Sequence, residues 1–253
     1  MGEILYYGWL FSPFSGIIGD DKEEMHPMSY KVYSSAPGKT VKAVLFDMDG
    51  LVLDTEKLYS RFWQEACVNL GFPMTREQAL TMRALNSKAG EANLRRFFGP
   101  AVVYQQVRSL RIQLMDAYIE KNGVDLKPGI RELLEDLKKK QIPTALASSS
   151  PVERIESYLK PLQLYHRFDC ICSGYEVPHG KPEPDIFLHA ANCLHQSPEN
   201  CMVLEDSPAG ILAASRAGCM PVMIPDLDQP DTATEKLLYA KADSLLDIMD
   251  LVS

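Results

Sequence analysis

Asp47 and Asp49 stand two residues apart, directly after the apolar run Ala43-Val44-Leu45-Phe46 and directly before Gly50. Two carboxylates so close repel each other unless a cation or a shared proton intervenes. The pair is therefore either an acidic turn or the centre of metal-assisted chemistry, in which one carboxylate attacks and the other trades a proton. Three further segments carry reactive groups. Residues 144–150 end in Ser148, Ser149 and Ser150; Gly180-Lys181-Pro182-Glu183-Pro184-Asp185 offers a lysine just ahead of a helix; Met202-Val203-Leu204 runs into Glu205-Asp206. Taken singly, a loop lysine or an acidic turn is ordinarily solvated. Taken together, in one chain, they invite a common site.

Placing those groups together needs a particular scaffold. A short apolar run that ends in acids is the pattern of a strand buried on both faces, and in open α/β sheets ligands bind just beyond the carboxyl ends of strands. Gly50 lets the chain turn at once after Asp49. Strands are expected at 43–46, 144–150, 168–172, 201–204 and 221–224, alternating with helices at 130–140, 185–194 and 208–217. Ser150-Pro151-Val152-Glu153 is expected to cap the helix that follows the second strand. Such alternation predicts a parallel sheet covered on both faces. Residues 56–123 break the pattern, because nothing there reads as a strand. Leu58, Phe62, Ala66 and Leu70 have helical spacing, Thr75 and Gln78 form a capping box, Ser87 opens a third helix, and a long fourth closes at Gly123. One helix suffices for a crossover; four make an inserted helical block.

The string Asp47-Met48-Asp49-Gly50-Leu51-Val52-Leu53-Asp54-Thr55-Glu56 resembles the first motif of the haloacid dehalogenase superfamily, in its phosphatase and sugar-phosphate mutase branch. Ser148, then His179-Gly180-Lys181-Pro182-Glu183-Pro184-Asp185, then Glu205-Asp206 follow in that branch's order, over about residues 41–250. The resemblance implies an α/β fold: a Rossmann-like parallel-sheet core (41–56 and 126–253) with an inserted all-helical cap (57–125), after an N-terminal extension (1–40) expected to be poorly ordered. It implies a Mg²⁺-dependent phosphomonoester hydrolase acting on a small phosphorylated metabolite, a sugar, polyol or nucleoside phosphate. Asp47 would be the nucleophile that forms an aspartyl-phosphate and Asp49 the acid/base. Ser148, Ser149 and Lys181 would bind the phosphoryl group. Asp47, Glu205 and Asp206 would hold the metal with help from the backbone carbonyl of Asp49. Arg83, Asn86 and Lys88, between cap helices, are the candidate substrate contacts. The second acid argues against the dehalogenases, which cleave without Mg²⁺, and against the ion pumps, which carry Thr there. A sugar phosphomutase is the alternative, although β-phosphoglucomutase-like proteins carry a His twelve residues after the nucleophile and this chain has Tyr59. An interaction protein on the same fold is the alternative of another class; it would need none of Asp47, Asp49, Lys181 and Asp206.

Composition narrows the field further. The 253 residues carry a formal charge of −8, which argues against a nucleic-acid or anionic-membrane partner. Six cysteines show no C-x-x-C pair and read as reduced, packed side chains. Cys170-Ile171-Cys172 would put two thiols on one face of a strand, but the sequence shows no second pair to complete a metal site, so core packing is expected. The apolar start of the chain has Glu3 where a leader peptide needs positive charge, and Gly8, Pro13 and Gly16 interrupt any helix. Residues 34–40 read as a linker. The expectation is a cytoplasmic monomer with no membrane segment, whose only partner is a small molecule.

Overall fold

A computed structural model describes residues 30–32, 40–82, 85, 87–226 and 229–252. Its frame is a sheet of seven strands: β1 (Tyr30–Val32), β2 (Ala43–Phe46), β3 (Thr144–Ser148), β4 (Cys170–Ser173), β5 (Cys201–Glu205), β6 (Met220–Met223) and β7 (Ala240–Ala242). They lie in the order β1-β7-β6-β5-β2-β3-β4. Strands β2 to β7 are parallel, and β1 adds an antiparallel edge with Tyr30 opposite Ala242. Of the first forty residues, then, Tyr30–Val32 joins the sheet. Residues 1–29 and 33–39 lie outside the described residues.

Between β2 and β3 the chain forms α1 (Glu56–Asn69), α2 (Arg76–Leu80), α3 (Ser87–Phe98) and α4 (Tyr104–Asn122), an all-helical cap. The core helices are α5 (Ile130–Lys139), α6 (Val152–Leu159), α7 (Asp185–Cys193) and α8 (Pro208–Arg216), with short α9 (Thr232–Glu235) and α10 (Ile248–Leu251) at the end. Every residue of β2 is fully buried because alternate side chains serve opposite layers. Val44 and Phe46 pack with Leu133, Leu137 and Ile155, while Ala43 and Leu45 pack with Phe187, Ala190 and Ala213. Full burial of each large side chain contributes roughly 1.5–3 kcal/mol, so the central strand is strongly pinned.

The cap has a core of its own, with Trp63, Cys67, Met74, Leu94 and Val107 at its centre. The Thr75–Gln78 capping box forms as the spacing predicts. The expected Ser150 cap does not. Pro151 takes the capping position, its carbonyl accepting from Arg154 N and Ile155 N, and the Ser150 amide turns back to Ser148 Oγ at 3.1 Å. Ser173 Oγ also donates to the Ser150 carbonyl at 2.8 Å, which ties this turn to the end of β4 rather than to its own helix.

The two connections between cap and core run side by side. Asp54 N donates to Asp125 O at 2.9 Å, Lys127 N donates to Val52 O at 3.0 Å, and Leu53 bridges Leu126. A side-chain clasp adds to them: Arg154 on α6 makes a two-pronged contact with Asp116 on α4 (3.1 and 3.0 Å), and Tyr158 Oη donates to the same carboxylate at 2.6 Å. Among the described residues no helix is long and apolar enough to cross a membrane.

Candidate active site

The carboxyl ends of β2, β3 and β5 converge beneath the cap. Asp47 follows β2 and continues its ladder, its amide donating to Leu204 O at 3.1 Å. Gly50 then turns the chain with φ +84°, a conformation that costs glycine little. A Cβ there would stand 2.1 Å from Asp206 Oδ2, so glycine is needed for contact as well as for conformation. The turn closes through Gly50 N to Leu53 O at 2.9 Å, and its apolar residues Met48, Leu51, Val52 and Leu53 are buried. Thr55 Oγ1 donates to Asp49 Oδ1 at 3.0 Å and fixes the second carboxyl.

Lys181 reaches in from the loop before α7. Its ammonium donates to Asp47 Oδ1, to Glu205 Oε1 at 2.6 Å and to the Ala147 carbonyl at 3.3 Å, and it lies 4.9 Å over the Phe187 ring. Glu205 is fully buried. Its Oε2 accepts from Asp206 N, Ser207 N and Ser207 Oγ at 3.1, 3.0 and 2.9 Å. Both of its oxygens therefore have partners within the protein, and the side chain locks the β5–α8 turn to the lysine. A Cβ on Gly210 would fall 1.8 Å from Glu205 Oε1, so α8 can approach this carboxylate only through a glycine.

One oxygen from each of Asp47, Glu205 and Asp206 lies within 4.8 Å of the others. Burial pushes the Asp47 carboxyl up to about 8, with Glu205 and Asp49 adding to the rise and Lys181 opposing it. Burial also raises Asp49, against its Thr55 hydrogen bond and the Arg111 charge. Asp206 is raised well above the usual range by burial, then by Glu205 and Asp47. Lys181 moves upward because Asp47 and Glu205 outweigh its burial. The cluster of carboxyl groups around one ammonium is short of positive charge, and the raised proton affinity of Asp47, Asp49 and Asp206 is the physical sign of it. An all-oxygen donor set short of positive charge fits a hard divalent cation.

These groups open onto a cavity of about 370 Å³ between sheet and cap, lined by Asp47, Asp49, Ser149, Ser150, Lys181, Glu205 and Asp206 from below. Ser148 is fully buried, with its Oγ accepting from Ser150 N; it lies beneath this wall rather than on it. From above come Tyr59, Trp63, Arg108 and Arg111. Arg83 and Asn86 lie outside the described residues, and Lys88 is exposed on α3.

Arg111 is the residue that sequence reasoning missed. It is 7% exposed, sits 4.6 Å over the Tyr59 ring and 5.4 Å from the Trp63 ring, and its Nε makes no hydrogen bond. A signal existed: Val107, Arg111, Met115 and Ile119 form the buried stripe of α4, in which an arginine takes a core-facing place.

Known proteins resemble this chain over most of its length. The chain is 32% identical over 191 residues to a phosphorylated carbohydrates phosphatase of Thermotoga maritima, covering 70% of this chain and 82% of that protein. It is 30% identical over 215 residues to a beta-phosphoglucomutase of Bacillus subtilis, covering 83% and 94%. The structure superposes on that of CbbY from Rhodobacter sphaeroides in complex with phosphate, with a TM-score of 0.67, 25% identity and coverage of 83% and 96%. Residues 41–218 match the haloacid dehalogenase-like hydrolases as a family. The chain belongs to the haloacid dehalogenase-like hydrolase family and is an enzyme of its capped phosphatase branch.

Proposed function

We propose that this phosphatase hydrolyses small phosphomonoesters (sugar, polyol or nucleoside phosphates) through a phosphoryl group carried on Asp47. The observation that supports the reading best is the contact of Lys181 with Asp47 and Glu205 at the floor of a cavity that Asp49 and Asp206 also line. Similarity to a phosphorylated carbohydrates phosphatase puts sugar phosphates first among the candidates. Residues 57–125 are the proposed cap and the remainder from 41 to 253 the proposed catalytic core. The cysteines are free among the described residues, which supports a reducing, cytoplasmic setting.

Asp47 attacks phosphorus in line; its new O–P bond forms as the ester O–P bond breaks. Asp49, which burial favours in its protonated form, gives its proton to the departing alkoxide. As a carboxylate it then takes a proton from the water that attacks phosphorus, and the bond to Asp47 breaks to release phosphate. Thr55 holds Asp49 in one orientation throughout. Lys181 offsets the charge shared by nucleophile and phosphoryl oxygens. Ser149 offers its hydroxyl to the phosphoryl oxygens from the cavity wall, and Ser148, buried beneath that wall, holds it in place by accepting from Ser150 N. Asp47, Asp206 and the Asp49 carbonyl would hold Mg²⁺, with Glu205 behind them, and the ion would supply the charge that lets a carboxylate approach a dianionic ester. Arg111, which lines the cavity from the cap side, offers its guanidinium to polar groups of the leaving alcohol.

The test is phosphate release from a panel of sugar, polyol and nucleoside phosphates, with and without Mg²⁺, for wild type and Asp47→Asn. Wild type should release phosphate only with Mg²⁺, and the variant should lose at least about 10⁴-fold in rate. Release that survives the substitution removes Asp47 as nucleophile. Conversion of glucose-1-phosphate to glucose-6-phosphate that outruns phosphate release makes the enzyme a mutase.

A further inference from the structure

Strand β4 and helix α7 bring together a second set of metal-binding atoms. Cys170 and Cys172 are two residues apart on β4, so both thiols face the same layer. Helix α7 packs over β3 and β4, and its last residue is Cys193. The three Sγ atoms lie within 4.8 Å of one another. The Cys170 and Cys172 sulfurs are 3.7 Å apart, and one turn back along α7 His189 Nε2 stands 3.8 Å from Cys193 Sγ. This is the partner set that Cys170-Ile171-Cys172 lacks in the sequence, because Cys193 arrives from a helix some twenty residues downstream.

The spacing matches a metal better than it matches a disulfide. A tetrahedral centre with metal–sulfur bonds of about 2.3 Å has sulfur atoms about 3.8 Å apart, and a sulfur–nitrogen edge about 3.5 Å long. Residues i and i+2 on a strand have Cα atoms about 6.6 Å apart. That is close to the upper limit of about 6.8 Å for a disulfide, so a Cys170–Cys172 bond would strain the edge strand. The chemistry also differs from that of the other buried thiols. Cys201 Sγ donates to the Ser197 carbonyl at 3.4 Å, whereas Cys170, Cys172 and Cys193 are in contact with one another. Cys172 is buried, while Cys170, Cys193 and His189 are half-buried, which leaves an ion a route in from solvent.

We propose that Cys170, Cys172 and Cys193, with His189 swinging in as fourth donor, form a second metal site that takes a soft, thiophilic cation such as Zn²⁺. The site is distinct from the carboxylate cluster in place and in preference. Cys170 begins β4, paired with Ala145, whereas Ser173 at the carboxyl end of that strand pairs with Ser148. Thiolates and imidazole select zinc or copper(I); oxygen donors select magnesium. An ion there would tie the outer strand to the end of the helix that begins just after Lys181.

The test uses the full-length, reduced, metal-stripped protein, with excess Mg²⁺ present to occupy the carboxylates. Cobalt(II) titrated under anaerobic conditions should produce a thiolate-to-cobalt charge-transfer band and tetrahedral ligand-field bands that saturate at one equivalent and are displaced by Zn²⁺. Cys170→Ser and Cys193→Ser should each weaken binding by at least about 100-fold, with far-ultraviolet circular dichroism unchanged. Asp47→Asn should leave the bands as they are. Absence of the charge-transfer band in wild type overturns the proposal without any variant, and a band that persists in both serine variants overturns it equally. His189→Ala should shift the ligand-field bands and keep the charge-transfer band; an unshifted spectrum removes the histidine from the set.

Discussion

At the carboxyl end of the sheet, Asp47, Asp49, Glu205 and Asp206 are gathered from neighbouring strands around Lys181, while on the outer strand Cys170 and Cys172 meet Cys193 with no cation among them. Burial acts on both groups in the same direction: it raises the Asp47 carboxyl to about 8 and the Cys170 thiol to about 11. The consequences differ because the starting points differ. A carboxyl raised that far is held on the edge of ionisation at neutral pH and remains in demand of positive charge. A thiol raised that far is simply neutral, so the cysteines pack as apolar groups until a thiophilic ion displaces their protons. The acidic cluster is therefore electrostatically incomplete without a cation, and the thiol cluster is stable either way.

That contrast can be broken by substitutions on the acidic side, the largest effect being chemical. Asp49→Asn removes the proton donor but leaves the nucleophile, and kcat should fall by about 10²–10⁴-fold. The fall should be smaller for an aryl phosphate, whose leaving group needs no proton, than for an alkyl phosphate; equal losses would show that Asp49 does not protonate the leaving oxygen. Next comes Lys181→Met. Its ammonium, with the side chain 9% exposed, is hydrogen-bonded to Asp47 and Glu205. Removing one partner of a buried ionic cluster costs about 3–5 kcal/mol, so the urea midpoint should drop accordingly. A midpoint unchanged from wild type would mean that Glu205 and Asp47 tolerate each other without it. Cys193→Ser, by contrast, should leave that midpoint nearly where it was in metal-free buffer. The smallest effect sharpens the role of the cap. Arg111→Ala should raise KM by about 10- to 100-fold, the worth of one charge-assisted hydrogen bond, while kcat stays within a few-fold. A drop in kcat with KM unchanged would move Arg111 from substrate binding to the chemical step.

Much of the scaffold was legible because its signals are local. The Ala43–Phe46 run, the Thr75 capping box and the glycines after α3 and α4 each announce an element within a few residues. Asp47, Asp49, Lys181, Glu205 and Asp206 could be nominated because each stands at a strand end or a loop of one sheet edge. What the sequence hides is tertiary. Nothing near Glu205 says that its Oε1 has a partner inside the protein, since Lys181 reaches it from a different segment, whereas its Oε2 is held locally by Asp206 and Ser207. Arg111 sits in a helix whose faces mix polar and apolar residues, so its inward direction is fixed only when α1 packs against α4. The capping role expected of Ser150 fails in part for a similar reason: Ser148, two residues back, takes its amide, and Ser173, brought in by β4, takes its carbonyl. Cys193 belongs to Cys170 and Cys172 only because α7 lies across β4.

The central claim is that phosphorus is carried on one particular carboxylate. Mixing the enzyme with a reactive phosphoryl donor and Mg²⁺, quenching in borohydride, and sequencing the peptides by mass spectrometry reads that carboxylate directly, because an acyl phosphate is reduced to the alcohol whereas a free acid is not. Homoserine in place of aspartate at position 47, and its absence when the donor is omitted, is the predicted result. Reduction at Asp49 or Asp206 instead, or unreduced aspartate at position 47 during active turnover, contradicts the account.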